Sequence, residues 1–444
     1  MDPYWQLLIP RVEALGLDPQ SVRRRSSLAT AEPWERVFVC EREPVKFLES
    51  VFAAIIQGCS VWFGDPGWGA KRIEEALDWI RPQHIFGNQD LVVSDHKSPD
   101  ASYLPIRRRL AGAPGIFIPS GGSNGGLKFA VHSWDTLAAS AVAFHQFFKD
   151  EDINACCVLP VFHVSGFMQV VRAIMGSGDF LIRPWKGFLE ELPDFNPEEC
   201  YLSLVPLQLR RLMENSDAVA QLKRFKMILL GGAKADGHVL EEAFLQKLPI
   251  VCSYGATETA AVVSALPVDA FMSGKRGVGI PLPHAEIECL TDDLAPANEA
   301  KPGFVQIKSR SLCHGYFPGG VFNDNNWETN DVGYFDVDGY LQIVGRLDRT
   351  IVSGGEKIDP YEVEQALLST LLVRDVYVCG KPDEAWGERV CVYCVPEGAF
   401  SSVAGMEAEL RRVLAPWQMP KEWHLLSSLP RTEAGKIIKS ALEE

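Results

Sequence analysis

Apolar residues recur at helical spacing most clearly over residues 43–57, where Phe47, Leu48, Val51, Phe52, Ile55 and Ile56 share one face and Pro44 suits a first turn. Val61-Trp62-Phe63 then reads as a short buried strand, stopped by Gly64-Asp65-Pro66. The alternation continues with a helix over 70–79, a strand near 84–86, a helix over 134–148 and a strand over 155–159. A helix over 206–214 and a strand over 227–230, before Gly231-Gly232, extend it further. Strands alternating with helices predict parallel sheets covered on both faces.

From about residue 276 the texture changes. Gly, Pro, Asp and Asn become frequent, and β-like runs appear at 304–307, 333–336 and 340–344. After Gly345-Arg346 the pattern resumes with a helix over 360–368, extended runs at 376–379 and 390–395, and a helix over 406–413. The expectation is an α/β chain. Residues 1–346 form a large N-terminal domain of parallel-rich sheets with flanking helices, and 276–346 are its β-rich subdomain. Residues 347–444 form a small α+β C-terminal domain.

Composition adds exclusions. The 444 residues are 47% hydrophobic and 23% charged, ordinary for a globular chain of two or three domains. A formal net charge of -15 argues against a general nucleic-acid binder, so an anionic ligand must be met by local cations and backbone amides. The eleven cysteines are scattered, several among apolar neighbours, and no export signal is visible, which points to reduced, mostly buried thiols in a cytoplasmic protein. Cys391-Val392-Tyr393-Cys394 has C-x-x-C spacing but sits in a β-like run, and no second pair completes a zinc site. The longest apolar stretch, near 51–63, is broken by Gln57, Gly58 and Ser60 and is too short to span a bilayer.

Four segments could carry chemistry. Ser120-Gly121-Gly122-Ser123-Asn124-Gly125-Gly126-Leu127-Lys128 follows a β-like run and precedes a helix starting at Ser133. Its glycines let backbone N–H groups approach an anion, its serines donate and Lys128 adds charge; a surface turn has the same composition. It is neither a Walker loop nor a dinucleotide fingerprint. In Ser253-Tyr254-Gly255-Ala256-Thr257-Glu258-Thr259 an aromatic face can stack on a purine, Thr257 can donate to a phosphate and Glu258 is a hard ligand suited to Mg²⁺; a strand and turn is the alternative. Asp331, in Thr329-Asn330-Asp331-Val332-Gly333, can accept the hydroxyls of a ribose from a strand entrance, or close an Asx-turn. Gly345-Arg346-Leu347-Asp348-Arg349 and Ser353-Gly354-Gly355-Glu356-Lys357 fit a hinge, or a hairpin turn.

Each signal alone is modest, but their order is not. With the tail run Pro430-Arg431-Thr432-Glu433-Ala434-Gly435-Lys436 they resemble the signature set of the adenylate-forming enzymes: acyl-CoA synthetases, adenylation domains and luciferases. The resemblance covers residues 110–444. It implies ATP, Mg²⁺ and coenzyme A: a carboxylate attacks the α-phosphate of ATP to give an acyl-adenylate and pyrophosphate, and a thiol then displaces AMP. It also implies roles. Residues 120–128, including Ser120, Gly121, Gly122, Ser123, Gly125 and Lys128, would be a mobile loop on the β- and γ-phosphates. Gly231, Gly232, Ala233, Tyr254 and Gly255 would form the adenine site. Thr257 would hold the α-phosphate, Glu258 the Mg²⁺, and Asp331 and Arg346 the ribose. Asp348 would be the hinge of a mobile C-terminal domain, and Gly354 and Gly355 would line the pantetheine path. Lys436 would bridge carboxylate and α-phosphate in the first half-reaction only. Leu127 in place of a proline, Asn124 in place of a hydroxyl and Asn330 in place of a glycine depart from the family pattern, and leave details of phosphate and ribose contact open.

Within the family, Leu159-Pro160-Val161-Phe162-His163-Val164-Ser165-Gly166 matches the segment with an aromatic or histidine gate at the acyl pocket, which names His163 and Ser165. Residues 203–212 and the Ser-Gly-Gly-Ser loop resemble the o-succinylbenzoate–CoA ligases of menaquinone and phylloquinone synthesis. That acid keeps a second, charged carboxylate, which needs a cation. Arg211 is the first candidate, with Arg172 and Arg183 behind it. A different acyl or aryl acid, a carrier-protein thiol, and an inactive nucleotide-binding homologue are the competing readings. A small carboxylic acid, ATP and CoA are the expected partners, and a homodimer stays open.

Overall fold

The computed structural model describes residues 3–25, 27–87, 103–111, 113–121, 126–185, 188, 196–322, 325–398, 402–432 and 437–442, whose strands assemble into four sheets. The first runs Tyr316–Phe317, Leu127–His132, Ile116–Gly121, Ser60–Phe63, Arg36–Cys40, His84–Gly87. Its last four strands are parallel, and the first two add on antiparallel. The second runs Ile280–Pro281, Ala261–Leu266, Ile250–Ala256, Met227–Leu230, Cys200–Leu204, Asn154–Cys157, Phe180–Ile182. Its last five are parallel, with antiparallel additions at the other edge.

Helices Pro44–Gln57, Trp134–Phe148 and Val164–Met175 share one core with strands of both sheets: Phe47, Phe52, Leu137 and Phe167 pack with Val39, Phe63 and Cys157. The first of these helices is fixed locally. The Glu43 carboxylate accepts from Val45 and Lys46 N–H at 3.0 and 2.8 Å, Pro44 fills the first turn, and Gly58 closes the end. Covering both sheet faces favours near-continuous apolar strands, as in Met227–Leu230, which is buried at every position.

The third sheet is antiparallel, Ala285–Leu290, Gly303–Ser309, Asn326–Phe335, Leu341–Arg346. Burial alternates along Gly303–Ser309, so one face meets the core and the other meets solvent. The fourth joins Glu356–Ile358, Ile351–Ser353, Gly387–Pro396 and Val373–Asp383, with Glu422–Leu425 parallel to Gly387–Pro396. One of its faces packs on helices Pro360–Ser369 and Val403–Leu410 through Val363, Leu367, Met406 and Leu410. The other takes Leu429, Ile437 and Leu442 from the end of the chain.

The α/β class and the parallel-rich sheets are as expected. The helix expected over 406–413 instead spans Val403–Leu410, capped by Ser402 Oγ on Gly405 N–H. Asp331 is not at a strand entrance or in an Asx-turn. It lies within Asn326–Phe335, directly opposite Arg346. No helix among the described residues is long and apolar enough to cross a membrane.

Candidate active site

The first two sheets meet at Glu258. Strand Ile250–Ala256 runs into a tight 3₁₀ turn, Thr257–Thr259, which carries the carboxylate inward until the residue is only 5% exposed. Its Oε1 accepts from Ser120 Oγ and Tyr316 OH, both at 2.7 Å. Lys128 Nζ lies 3.8 Å from the same oxygen and 3.8 Å from the Tyr316 ring centroid. Both hydrogen bonds fall on Oε1, and Oε2 has no hydrogen-bond partner among the described residues. A carboxylate held on one oxygen and open on the other suits a hard cation.

The turn is pinned from behind. The Thr257 carbonyl accepts from His132 Nε2 at 2.8 Å, Ser140 Oγ donates to the Ala260 carbonyl at 2.7 Å, and Ser311 Oγ to that of Thr259 at 2.8 Å. Burial pushes the His132 imidazole down to about 4, so the ring is neutral. The acceptor on one side obliges the tautomer with hydrogen on Nε2, and Nδ1 faces Thr136 Oγ1 at 2.9 Å.

A second network lies alongside. Tyr254 OH donates to Asp331 Oδ2 at 2.6 Å, and Arg346 Nη1 donates to Asp331 Oδ1 at 2.9 Å. Arg346 also makes a two-pronged contact with Asp348, Nε to Oδ1 at 3.0 Å and Nη2 to Oδ2 at 2.9 Å. The hydrogen bond to Asp348 is the main reason that the guanidinium holds its proton more tightly than usual. Burial, then Asp331, pushes the Tyr254 phenol up. Asn330 Nδ2 reaches Asp348 Oδ2 at 3.3 Å.

The glycines are explained partly by the chain itself. A Cβ on Gly255 would lie 1.8 Å from the Ala261 carbonyl, so the adjoining strand demands glycine before any ligand does. Gly231, Gly232 and Ala233 follow strand Met227–Leu230, and Leu230 is paired with Cys252, so they sit beside Ser253 and Tyr254 at the carboxyl ends of parallel strands. Gly354 and Gly355 form the turn between Ile351–Ser353 and Glu356–Ile358, with φ of +61° and +88°. The Gly354 Cα packs so close to the Trp386 ring that a Cβ would come within 2.8 Å.

His163 caps helix Val164–Met175, with Nε2 3.7 Å from Asp65 Oδ2. The Ser165 carbonyl accepts from Gln169 Nε2 at 2.9 Å. Arg211 is exposed on helix Pro206–Met213. Its neighbour Arg210 instead donates to the Arg374 carbonyl. Gly122, Ser123, Gly125 and Lys436 lie outside the described residues, as does Asn124.

Arg172, in the last turn of helix Val164–Met175, is a buried cation. It is 4% exposed, its guanidinium lies 3.9 Å from the Phe144 ring centroid, and it has no carboxylate partner among the described residues. Burial pulls it down to about 9. Among the described residues, Gln169 Oε1, Arg172 Nε and both ring nitrogens of His284 are likewise buried without hydrogen-bond partners. Burial first, then the charges of Arg310 and Arg172, brings His284 down to about 4. Tyr316, His132, Gln169 and His284 had no motif to mark them in the sequence.

A family model of AMP-binding enzymes matches residues 27–317, and one of the AMP-binding enzyme C-terminal domain matches residues 362–436. The chain belongs to the AMP-binding enzyme family. It is similar to the 2-succinylbenzoate–CoA ligase of Oceanobacillus iheyensis, 29% identical over 320 residues that cover 71% of this chain and 65% of that one. The enzyme of the same name from Staphylococcus aureus strain JH9 is 29% identical over 337 residues, 72% of this chain and 65% of that one. The chain thus spans just under two thirds of the length of the curated relatives it matches. In fold it is similar to the Bacillus subtilis o-succinylbenzoate CoA synthetase in complex with its acyl-adenylate intermediate, with TM-score 0.78 and 20% identity over 98% of this chain and 92% of that one. ATP-bound MatB from Rhodopseudomonas palustris is as near, with TM-score 0.79 and 19% identity over the same 98% and 92%. At these identities the likeness speaks for the fold alone. The acid must be argued from the residues of this chain.

Proposed function

We propose that this chain is an ATP-dependent, AMP-forming acid–CoA ligase that works through an acyl-adenylate, and that its acid is o-succinylbenzoate. The observation that carries the choice of acid is Arg172, a buried cation with no carboxylate partner among the described residues, in a chain whose sequence relatives are named for this dicarboxylate. An acid with a second carboxylate brings the charge that Arg172 lacks, and Gln169 and His284 add unpaired groups nearby in the interior. An acid with one carboxylate spends its charge at the reacting end and leaves Arg172 uncompensated.

The nucleotide side is read from the two acidic networks. Asp331 would accept ribose hydroxyls, with Arg346 holding it in place. Tyr254, with Gly231, Gly232, Ala233 and Gly255 around it, would bound the adenine. Glu258 would hold Mg²⁺ through its open oxygen, and the ion would offset charge on the phosphates. Ser120 and Lys128 orient that carboxylate, and Lys128 with the glycines of the loop would meet the phosphates. The Thr257 hydroxyl would donate to the α-phosphate. His163 and Ser165 would flank the acyl group. Lys436, on a C-terminal domain that turns about Asp348, would bridge acid and α-phosphate and withdraw before CoA arrives along Gly354 and Gly355.

The deciding experiment is ATP-dependent thioester formation from CoA over a panel of acids. o-Succinylbenzoate should react and benzoate should not. Reaction of benzoate or fatty acids without o-succinylbenzoate would sink the choice of acid and leave the ligase reading standing. Lys436→Ala should lose pyrophosphate exchange yet still convert supplied acyl-adenylate to thioester. Equal loss of both halves contradicts the domain alternation.

A further inference from the structure

Of the eleven cysteines, every one but Cys379 is buried. Cys379 stands directly opposite Cys391 in the long antiparallel pair of Val373–Asp383 with Gly387–Pro396. Directly opposed residues in such a pair have Cα atoms about 4.5–5.5 Å apart, within the span of a disulfide, so no backbone shift is needed. The two thiols share a sheet face, clustered with Tyr377, Tyr393, Leu429 and Ile437. The neighbouring Cys391 thiol first, and then the charges of Lys381 and Lys439, hold the Cys379 thiol below its usual range.

We propose that Cys379 and Cys391 form a reversible dithiol–disulfide site that takes hydroperoxides as oxidant. The Cys379 thiolate attacks one peroxide oxygen; an S–O bond forms, the O–O bond breaks, and the departing oxygen takes a proton and leaves as water or alcohol. The Cys391 sulfur then attacks the Cys379 sulfur. The S–S bond forms, the S–O bond breaks, and water leaves with the Cys391 proton. Two thiols are oxidised by two electrons and one peroxide is reduced.

Two other uses of these residues fit less well. Cys394, three residues after Cys391, packs on the opposite face with Val376 and Met406, so the C-x-x-C spacing cannot form the pair. Cys391, Glu422 and His424 offer ligand atoms within 4.8 Å of one another. Yet Lys381 Nζ at 2.6 Å and Arg389 Nε at 2.7 Å already take the two Glu422 oxygens, and a metal ion would enter against two cations. The thiol pair also touches the catalytic proposal: Ile437, in its cluster, is joined by a peptide bond to Lys436.

The test uses the reduced full-length chain, titrated with hydrogen peroxide, alkylated and mapped by peptide mass. The Cys379 and Cys391 peptides should appear joined, two hydrogens lighter than their sum, before any other cysteine changes, and dithiothreitol should separate them. In Cys391→Ser, Cys379 should be trapped as sulfenic acid by a 1,3-dione. In Cys379→Ser, peroxide-dependent thiol loss should slow by about tenfold or more. Oxidation of another cysteine first, over-oxidation of Cys379 with Cys391 still free, or unchanged thiol loss in Cys379→Ser would overturn the proposal. The mapping of the native chain stands even if a variant misfolds, and none of these outcomes depends on ligase activity.

Discussion

Asp331 and Arg172 are 8% and 4% exposed, yet one sits in a closed circuit and the other does not. Around Asp331 each charge meets its opposite: Tyr254 and Arg346 donate to both of its oxygens, and Arg346 is clamped again by Asp348. Around Arg172 there is an aromatic ring, and buried Gln169 Oε1 and His284 nitrogens without partners among the described residues. The first arrangement offsets the cost of desolvation within the protein, so a ligand gains acceptors that are already aimed. The second leaves the cost standing, and only an incoming anion relieves it. The same fold therefore holds a preorganised half around Asp331 and an unsatisfied half around Arg172, and on the proposed function the first would serve ATP and the second the acid.

The largest expected loss comes at Glu258, the other buried carboxylate with partners already aimed at it. Glu258→Gln keeps the shape and the acceptor for Ser120 and Tyr316 but removes the charge. ATP–pyrophosphate exchange should fall by about 10²- to 10³-fold. Exchange above a tenth of the native rate would mean that Glu258 is a structural anchor and that the preorganised half does not extend to it.

Stability should follow next, through pH. His132 supports the Thr257 carbonyl as a neutral ring, with its pKa brought down to about 4 by burial. The unfolded chain takes up a proton near pH 6.5 and the folded chain does not until near 4. The His132 contribution is therefore complete above about 6.5 and is lost as pH falls toward 4, roughly 3 kcal/mol at full extent. Denaturant unfolding at pH 7, 6 and 5 should show this decline, and His132→Gln should make it shallower, leaving the share of His284, which burial also brings down to about 4. An equally steep decline in the variant would remove His132 as the cause.

What the sequence revealed follows how local each cause is. Helix Pro44–Gln57 was readable because its apolar stripe, its Glu43 cap and its first-turn proline all lie within a few residues. Glu258 was readable because its turn is a continuous motif. Tyr316 was not, because its bond to Glu258 joins residues 58 positions apart and depends on the two sheets meeting. His132 is 125 positions from the carbonyl that it supports. Asn330-Asp331 has turn composition, but the pairing of Asp331 with Arg346 in the third sheet overrides it. Cys391 showed a partner at three residues in sequence, whereas the strand register gives it Cys379.

The last test sets the two arginines against each other, since the sequence ranked Arg211 first and the unsatisfied interior favours Arg172. Arg172→Met keeps an apolar side chain in the interior and deletes the buried charge together with its contact to the Phe144 ring. KM for o-succinylbenzoate should rise by about 30-fold, the usual cost of losing a hydrogen bond to a charged group. The melting temperature of the ligand-free protein should rise rather than fall, because an uncompensated charge has left the core. Arg211→Ala, on an exposed helix face, should change KM by less than about twofold and leave melting unmoved. A fall in stability in Arg172→Met would mean that its charge is already paired, and the contrast between the two halves would collapse. A larger KM change from Arg211 than from Arg172 would move the second carboxylate out to the helix Pro206–Met213, where solvent shares its charge. In that case the acid is selected at the rim rather than in the interior.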